Sequence, residues 1–415
     1  MSADPQAAIQ AVWRIESARL IAGLTRIVRD VGLAEDLAQD ALVAALEQWP
    51  ESGVPERPGA WLMATARHRA IDLLRRSARL ERKHAELARE LQEGEKPDVE
   101  AALDDDVEDD LLRLIFMTCH PVLSREARVA LTLRLVGGLT TAEIARAFLV
   151  TETAVAQRIV RAKRTLAEAR VPFEAPSGSE RAARLESVLA VIYLVFNEGY
   201  SATAGDHWIR PSLCAEALRL GRILAGLAPA EPEVHGLVSL MELQASRLRA
   251  RVGAAGDPVL LLDQDRGRWD RVLIRRGLAA LERAQDLGGT LGPYGLQATI
   301  AACHARARTA EETDWVRIAA LYDALCELAP SPVVELNRAV AVAMAFGPSA
   351  ALELVDALAA EPALEAYHLL PSVRGALLAR LGRGGEARAE FERAASLTRN
   401  ERVRELLLAR MDSAN

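Results

Sequence analysis

Residues Leu139 to Leu166 read LTTAEIARAFLVTETAVAQRIVRAKRTL, and the caps and faces of this stretch decide how the chain folds. Thr140 followed three residues later by Glu143 is a capping box, which satisfies orphan N–H groups at a helix start. Ile144, Ala147 and Phe148 continue on one face, so a short helix begins there. After a turn at Leu149-Val150, Thr151 is a second N-cap, and a longer helix runs on through Arg164. On a wheel at about 100° per residue, Val155, Ile159, Ala162 and Leu166 fall within about 60° of one another. Thr153, Gln157, Arg161 and Arg164 gather on the opposite side within about 80°. One side packs and the other faces outward. Gln and Arg at successive turns can pair with adenine and guanine edges in a major groove, and Arg158 and Lys163 flank them where phosphates would lie. The bland alternative is an amphipathic helix with a solvated basic face. Capping box, tight turn and basic face together favour a DNA-reading helix-turn-helix.

The chain around this stretch has 415 residues, too many for one compact core, so two to four domains are expected. Hydrophobic residues make up 50% but aromatics only 4%, while Ala, Leu, Arg and Glu abound, which points to an all-α protein. No apolar run follows a charged leader and none approaches about 18 residues, so neither secretion nor a membrane span is expected and the protein reads as cytoplasmic. Cys119, Cys214, Cys303 and Cys326 lie far apart and read as reduced, mostly buried thiols. Cys119-His120 and Cys303-His304 are adjacent pairs that diverge on a helix, so no metal or other cofactor is expected. The net charge of −7 is unexpected for a protein that coats nucleic acid, but its sign is uneven. Residues 58–84 hold seven Lys/Arg against two acids, residues 152–170 five against two, and residues 93–110 ten acids against one lysine.

From the N-terminus, Val12 to Val31 reads as a core helix carrying Ile15, Leu20, Leu24, Ile27 and Val28, with loops expected at Gly32 and at Pro50 to Gly59. In AEDLAQDALVAALEQW, Ala34 to Trp49, the residues Leu37, Ala41, Ala44 and Ala45 can pack inward while Asp36, Gln39 and Asp40 stay outside. PGAWLMATARHRAIDLLRR, Pro58 to Arg76, opens with proline at a helix start. Its Trp61, Thr65, His68, Arg69, Asp72, Arg75 and Arg76 share a sector of about 120°, opposite Met63, Ala66, Ala70 and Leu74. A tryptophan on a basic face suits stacking on an unpaired base; burial of Trp61 against the preceding loop is the equally weighted alternative. The acidic run Glu93 to Asp110 cannot bury itself and reads as a flexible tether. Asp109 to Leu166 then reads as a second unit, with Leu111, Leu112, Ile115, Phe116, Leu131, Leu133 and Leu135 supplying core ahead of the helix-turn-helix and Gly137-Gly138 breaking the chain before Leu139.

Taken in this order, three signatures make residues 8–170 resemble a bacterial RNA polymerase sigma factor of the extracytoplasmic-function group: Ala34 to Trp49, Pro58 to Arg76, and the helix-turn-helix. The resemblance implies a region 2-like domain at 8–77, an acidic linker at 78–110 and a region 4-like domain at 111–170. It assigns Asp36, Leu37, Gln39 and Asp40 to docking on the β′ clamp helices of core RNA polymerase, with the β flap as a further polymerase contact. It assigns Trp61, Arg67, His68, Arg69, Asp72, Arg75 and Arg76 to opening and reading the promoter −10 element. Thr140, Thr141, Thr153, Gln157, Arg158, Arg161, Lys163 and Arg164 fall to the −35 element. Two departures stand out: ESGVPERPGAW replaces an aromatic-rich stretch ahead of the tryptophan, and His68 stands where asparagine is frequent. No catalysis by this chain is implied, because binding free energy opens the promoter and the polymerase makes the RNA.

A second linker at 171–180 precedes an all-helical C-terminal domain, 181–415, that is tetratricopeptide-like from about 315. Segments start near Trp315, Ser349 and Gly384, separations of 34 and 35 residues, which is the period of that repeat. Ala387, Phe391 and Ala394 match the small and aromatic positions of its second helix, and Gly375 and Leu378 fit the helix before; an irregular helical domain is the alternative. VIYLVFNEGYSATAG (Val191 to Gly205), LLDQDRGRWD (Leu261 to Asp270) and GPYGLQATIAACHA (Gly292 to Ala305) resemble the extension of one subgroup of that sigma family. Their polar residues, Asn197, Glu198, Asp263, Gln264, Asp265, Arg266 and Trp269 among them, either fix loops or line a groove, and the structural role is favoured in the absence of any catalytic motif. Stacked repeats offer a concave surface to a protein or peptide partner. The expected function is a transcription initiation factor regulated or supported by its C-terminal domain. The alternatives are a helix-turn-helix repressor with a helical sensor domain and a repeat scaffold, which leaves the arginine faces unexplained.

Overall fold

A computed structural model describes residues 5–88, 107–253, 256–288 and 291–414. It contains eighteen α-helices among the described residues, and its only paired strands there are two residues long. The helices form two compact units that divide between Val191 and Ile192.

The first unit holds α1 (Pro5–Val28), α2 (Val31–Ser52), α3 (Pro58–Ala88), α4 (Val107–Thr118), α5 (Arg125–Leu135), α6 (Thr141–Phe148), α7 (Glu152–Glu168) and the first half of α8 (Gly178–Tyr200). Helix α1 packs on α2, α3 and α4 through a stripe of Ser17, Ala18, Ile21, Leu24 and Thr25. Ile15 lies off that stripe and is 66% exposed, which corrects its expected place in the core. Helix α1 ends at Arg29, in the left-handed region at φ 54°, and Asp30 then caps α2 by accepting from the Leu33 N–H at 2.9 Å. The break therefore precedes Gly32, which sits in the first turn of α2 and not in a loop. A Cβ at Gly32 would stand 3.0 Å from the capping Oδ1 of Asp30, which explains glycine there. Likewise α2 continues through Pro50 and ends only at Gly53, so the irregular connection to α3 is shorter than expected.

Helix α3 runs on to Ala88, and most of the acidic run lies outside the described residues. Its last member, Asp110, is 1% exposed and so is not part of a solvated tether. Arg26 at 2.9 Å and Arg113 at 2.8 Å neutralise it. The first half of α8 also belongs to this unit: Ser187 donates to the Cys119 carbonyl at 2.8 Å, and Arg184 to that of Phe116 at 3.2 Å.

The second unit continues with α9 (Pro211–Leu227), α10 (Pro232–Ala245), α11 (Arg271–Asp286), α12 (Pro293–Arg306), α13 (Trp315–Leu328), α14 (Pro332–Phe346), α15 (Pro348–Leu358), α16 (Leu369–Arg380), α17 (Gly384–Leu397) and α18 (Glu401–Ser413). From α12 onward each helix packs on the next. The helices α13, α15 and α17 start at Trp315, Pro348 and Gly384, within one residue of the repeat starts read from the sequence. Ala387, Phe391 and Ala394 are buried, and a Cβ on Gly375 would meet the Phe391 ring at 3.1 Å, so glycine lets α16 and α17 approach. Among the described residues no helix is long and apolar enough to cross a membrane.

One side chain closes this unit. The strands β1 (Ala204–Gly205) and β2 (Arg399–Asn400) pair in parallel. Asn400, 1% exposed, donates to the carbonyls of Ala202 at 3.1 Å and His207 at 2.9 Å while capping α18 through the Val403 N–H at 3.2 Å. Replacing it removes a cap and takes the donor from the buried Ala202 carbonyl and from the His207 carbonyl. Asn400→Ala is expected to cost about 2–4 kcal/mol, read as a fall in urea midpoint, whereas exposed Ser413→Ala changes little.

Candidate nucleic-acid interface

Each local signal in the stretch Leu139 to Leu166 has a counterpart in the structure. Thr140 accepts from the Glu143 N–H at 3.1 Å, and Glu143 accepts from the Thr140 N–H at 2.8 Å, completing the capping box. Leu149 then takes the left-handed conformation at φ 51°, the sharp bend between α6 and α7. Thr151 caps α7 by accepting from Ala154 at 3.2 Å. Val155, Ile159, Ala162 and Leu166 are buried, and α7 packs on α5 and α6. Facing away, Thr153, Gln157, Arg161 and Arg164 are all exposed along one row. Arg164 donates to Glu168 at 2.6 Å, an exposed pair that a phosphate could replace at little cost.

The flanking residues differ from this row. Arg158 is half-buried. Thr140 is exposed but its hydroxyl serves the cap, and Thr141 is half-buried. Lys163 is the clearest departure, because its ammonium is bonded to Glu35 of α2. Glu35, 4% exposed, also accepts from Arg134 Nε at 2.6 Å and from Gln39 Nε2 at 2.8 Å. Burial alone would raise its pKa, but Lys163 and Arg134 hold the carboxyl below its ordinary value. Lys163 therefore does not stand free beside the exposed row. Sequence reasoning missed Glu35 and Arg134; a carboxylate between Ala34 and Ala38 on an apolar helix face was the available signal.

Among the residues assigned to polymerase docking, Asp36 and Asp40 are exposed and Gln39 is half-buried. Leu37 is 4% exposed and packs in the core, which corrects its assignment to a contact surface; it shares a buried stripe with Ala34, Ala41 and Ala44. On α3, Trp61 is half-buried and meets Trp49 edge-on, with ring centroids 5.3 Å apart. It is thus braced from beneath rather than lost to the interior. His68 lies 2.7 Å through Nδ1 from the Ala64 carbonyl; a carbonyl only accepts, so Nδ1 carries the proton and Nε2 faces elsewhere. Arg69, Asp72 and Arg75 are exposed and Arg67 is half-buried, while the Arg76 side chain lies outside the described residues. Arg69 pairs with Asp40 at 3.3 Å, joining a residue of the expected −10 set to one of the docking set.

Three family models match parts of the chain. Residues 15–80 match Sigma-70 region 2, residues 113–166 match Sigma-70, region 4, and residues 184–285 match a family of unknown function (DUF6596). Both regions on one chain support a sigma factor role in promoter recognition and imply interaction with core RNA polymerase and promoter DNA. The chain belongs to the same family as an uncharacterized protein of Rhizobium meliloti (strain 1021), 47% identical over 382 residues that cover 91% of this chain and 89% of the relative. No solved structure matches.

Glu35 contributes stability in proportion to its lowered pKa: fully above the ordinary glutamate value of 4.5, and progressively less as pH falls through the lower folded value. Glu35→Gln strands two cations and is expected to cost about 3–5 kcal/mol at neutral pH. In urea unfolding, the gap between the native and variant proteins should narrow as pH drops below 4.5.

Proposed function

We propose that this protein is a sigma factor of the extracytoplasmic-function type in which α7 reads the −35 element, α3 opens and reads the −10 element, and α2 docks on the β′ clamp helices of the polymerase. The observation that carries this reading is the exposed row Thr153, Gln157, Arg161 and Arg164 on the second helix of a capped helix-turn-helix. Gln157 and Arg161 stand one turn apart, the spacing needed to reach successive base edges, while Arg158 and Arg164 reach phosphates. Lys163 joins them only when a phosphate replaces Glu35 as its partner, and Thr140 and Thr141 approach the backbone at the start of α6. On α3, Trp61 offers a stacking face with Arg67, His68, Arg69, Asp72, Arg75 and Arg76 around it. Asp36, Gln39 and Asp40 form the polymerase contact. Exposed ion pairs are worth little, so Asp40–Arg69 can be given up when each finds its own partner.

The second unit, tetratricopeptide-like in its helix starts and its Gly375–Phe391 contact, regulates or supports this activity and offers a surface to a protein or peptide.

Transcription from a matched promoter with purified core polymerase tests the reading. Arg161→Ala should weaken −35 binding about 5- to 150-fold, which corresponds to roughly 1–3 kcal/mol for one lost base contact, and should relax base preference at one position. Asp40→Ala should reduce capture of core polymerase with promoter preference unchanged. Capture failing in the unaltered protein would overturn the proposal.

A further inference from the structure

The three glycine- and aromatic-rich segments of the second unit come together around arginines that have no acidic partner. Tyr200 comes from the end of α8, Arg266 and Trp269 from LLDQDRGRWD, and Arg247 and Arg251 from the turn that follows α10. They alternate as a ladder of rings and cations. The Arg251 guanidinium lies 4.7 Å from the Trp208 ring centroid and 3.7 Å from that of Tyr200. Arg247 lies 5.8 Å from Tyr200 and 5.7 Å from Trp269, and Arg266 lies 4.9 Å from Trp269.

Arg251 and Arg266 are only 9% and 7% exposed. Their hydrogen bonds go to neutral groups: Arg251 to the Tyr200 carbonyl at 3.0 Å, and Arg266 to the carbonyls of His304 at 2.7 Å and Ala307 at 2.9 Å and to the Thr313 hydroxyl at 2.9 Å. Arg247 donates to the Tyr200 hydroxyl. Among the described residues none of the three arginines forms an ion pair; Glu311 and Glu312, which act on Arg266, stand beyond ion-pair distance. His304 adds no further positive charge, because burial and the nearby Arg247 and Arg266 push its pKa down to about 3.

Unsatisfied donors concentrate here. The Nε–H groups of Arg247, Arg251 and Arg266 and the indole N–H groups of Trp208 and Trp269 are buried without an acceptor. Unmet acceptors in the same segments, Gln264 Oε1 and His304 Nδ1, carry no charge. An unpaired buried guanidinium is costly, and an aromatic face returns only part of that cost. Guanidinium forks and ring N–H donors match the lone pairs of an oxyanion.

We propose that this ladder binds a small oxyanion ligand, a phosphate- or carboxylate-bearing molecule that supplies the missing negative charge. The site is independent of the promoter-reading surfaces, and its test reads binding, not transcription. The full chain is titrated with inorganic phosphate and, separately, with citrate, each against sodium chloride of matched ionic strength. Thermal unfolding and tryptophan emission are followed. At least one oxyanion should raise the unfolding midpoint saturably, as expected for a ligand that binds the native state alone, while chloride does not. Phosphate alone identifies a phosphate-bearing ligand, and citrate alone a carboxylate.

Arg247→Gln, at the half-buried rung, should weaken the oxyanion effect at least about tenfold while leaving the ligand-free midpoint unchanged or higher, because it removes one of three mutually repelling cations. Arg247→Lys should retain part of the effect. Trp208→Phe gives a second measurement, losing the ligand-dependent emission change in a folded protein. Equal shifts with chloride, no shift with either anion, or a full shift in Arg247→Gln would overturn the proposal.

Discussion

A buried carboxylate on α2 fixes the arrangement of the first unit. Glu35 is almost wholly buried, so its charge survives only because Arg134 of α5 and Lys163 of α7 reach it together. Taking away one member of such a cluster is far more damaging than never having built it, because the rest stay buried and charged. Arg134 also donates to the Leu139 carbonyl at 3.2 Å, so the same guanidinium positions the chain just ahead of the helix-turn-helix. The α2–α7 contact is thereby tied to the orientation of the second helix of the helix-turn-helix. Arg26 with Asp110 repeats the device between α1 and α4, while the exposed Arg14–Glu143 pair adds little.

This packing sorts the cations of α7 by their surroundings. Lys163, one turn from Ile159 and next to Ala162 at the margin of the buried face, is drawn inward to the acid. Arg161 and Gln157 lie on the far side of the helix and have nothing to be drawn to. A wheel alone separates buried from exposed positions, but it cannot say which residue at the margin between the faces meets a charge from another part of the chain.

That distinction explains what was legible in the sequence. The capping box at Thr140, the N-cap at Thr151 and the buried quartet of α7 are encoded within a few residues of one another, so reading them needs no tertiary knowledge. Helix starts at Pro58, Trp315 and Gly384 were readable for the same reason. Gly32 misled because a glycine that makes room for a cap looks like a glycine that breaks a helix. Asp110 misled because ten acids within residues 93–110 look uniformly solvated, although the last one faces two arginines. The roles of Glu35, Arg134 and Asn400 depend on partners about 100 to 200 residues away, and no local pattern carries that information.

Buried Glu242 of the second unit is paired with Arg222 much as the acids of the first are paired, but the cluster around Tyr200 handles buried charge differently. In the first, each buried acid named here, Glu35 and Asp110, has two cations within ion-pair distance, so the charge is settled internally. In the second, Arg251 and Arg266 rest on aromatic rings and neutral acceptors. Rings hold a guanidinium in place without cancelling its charge, so the potential around Tyr200 and Trp269 stays positive. A helical scaffold that needed only packing there would be served by aliphatic side chains at lower desolvation cost. The arginines are better explained by a need for positive potential at that place in the fold than by stability.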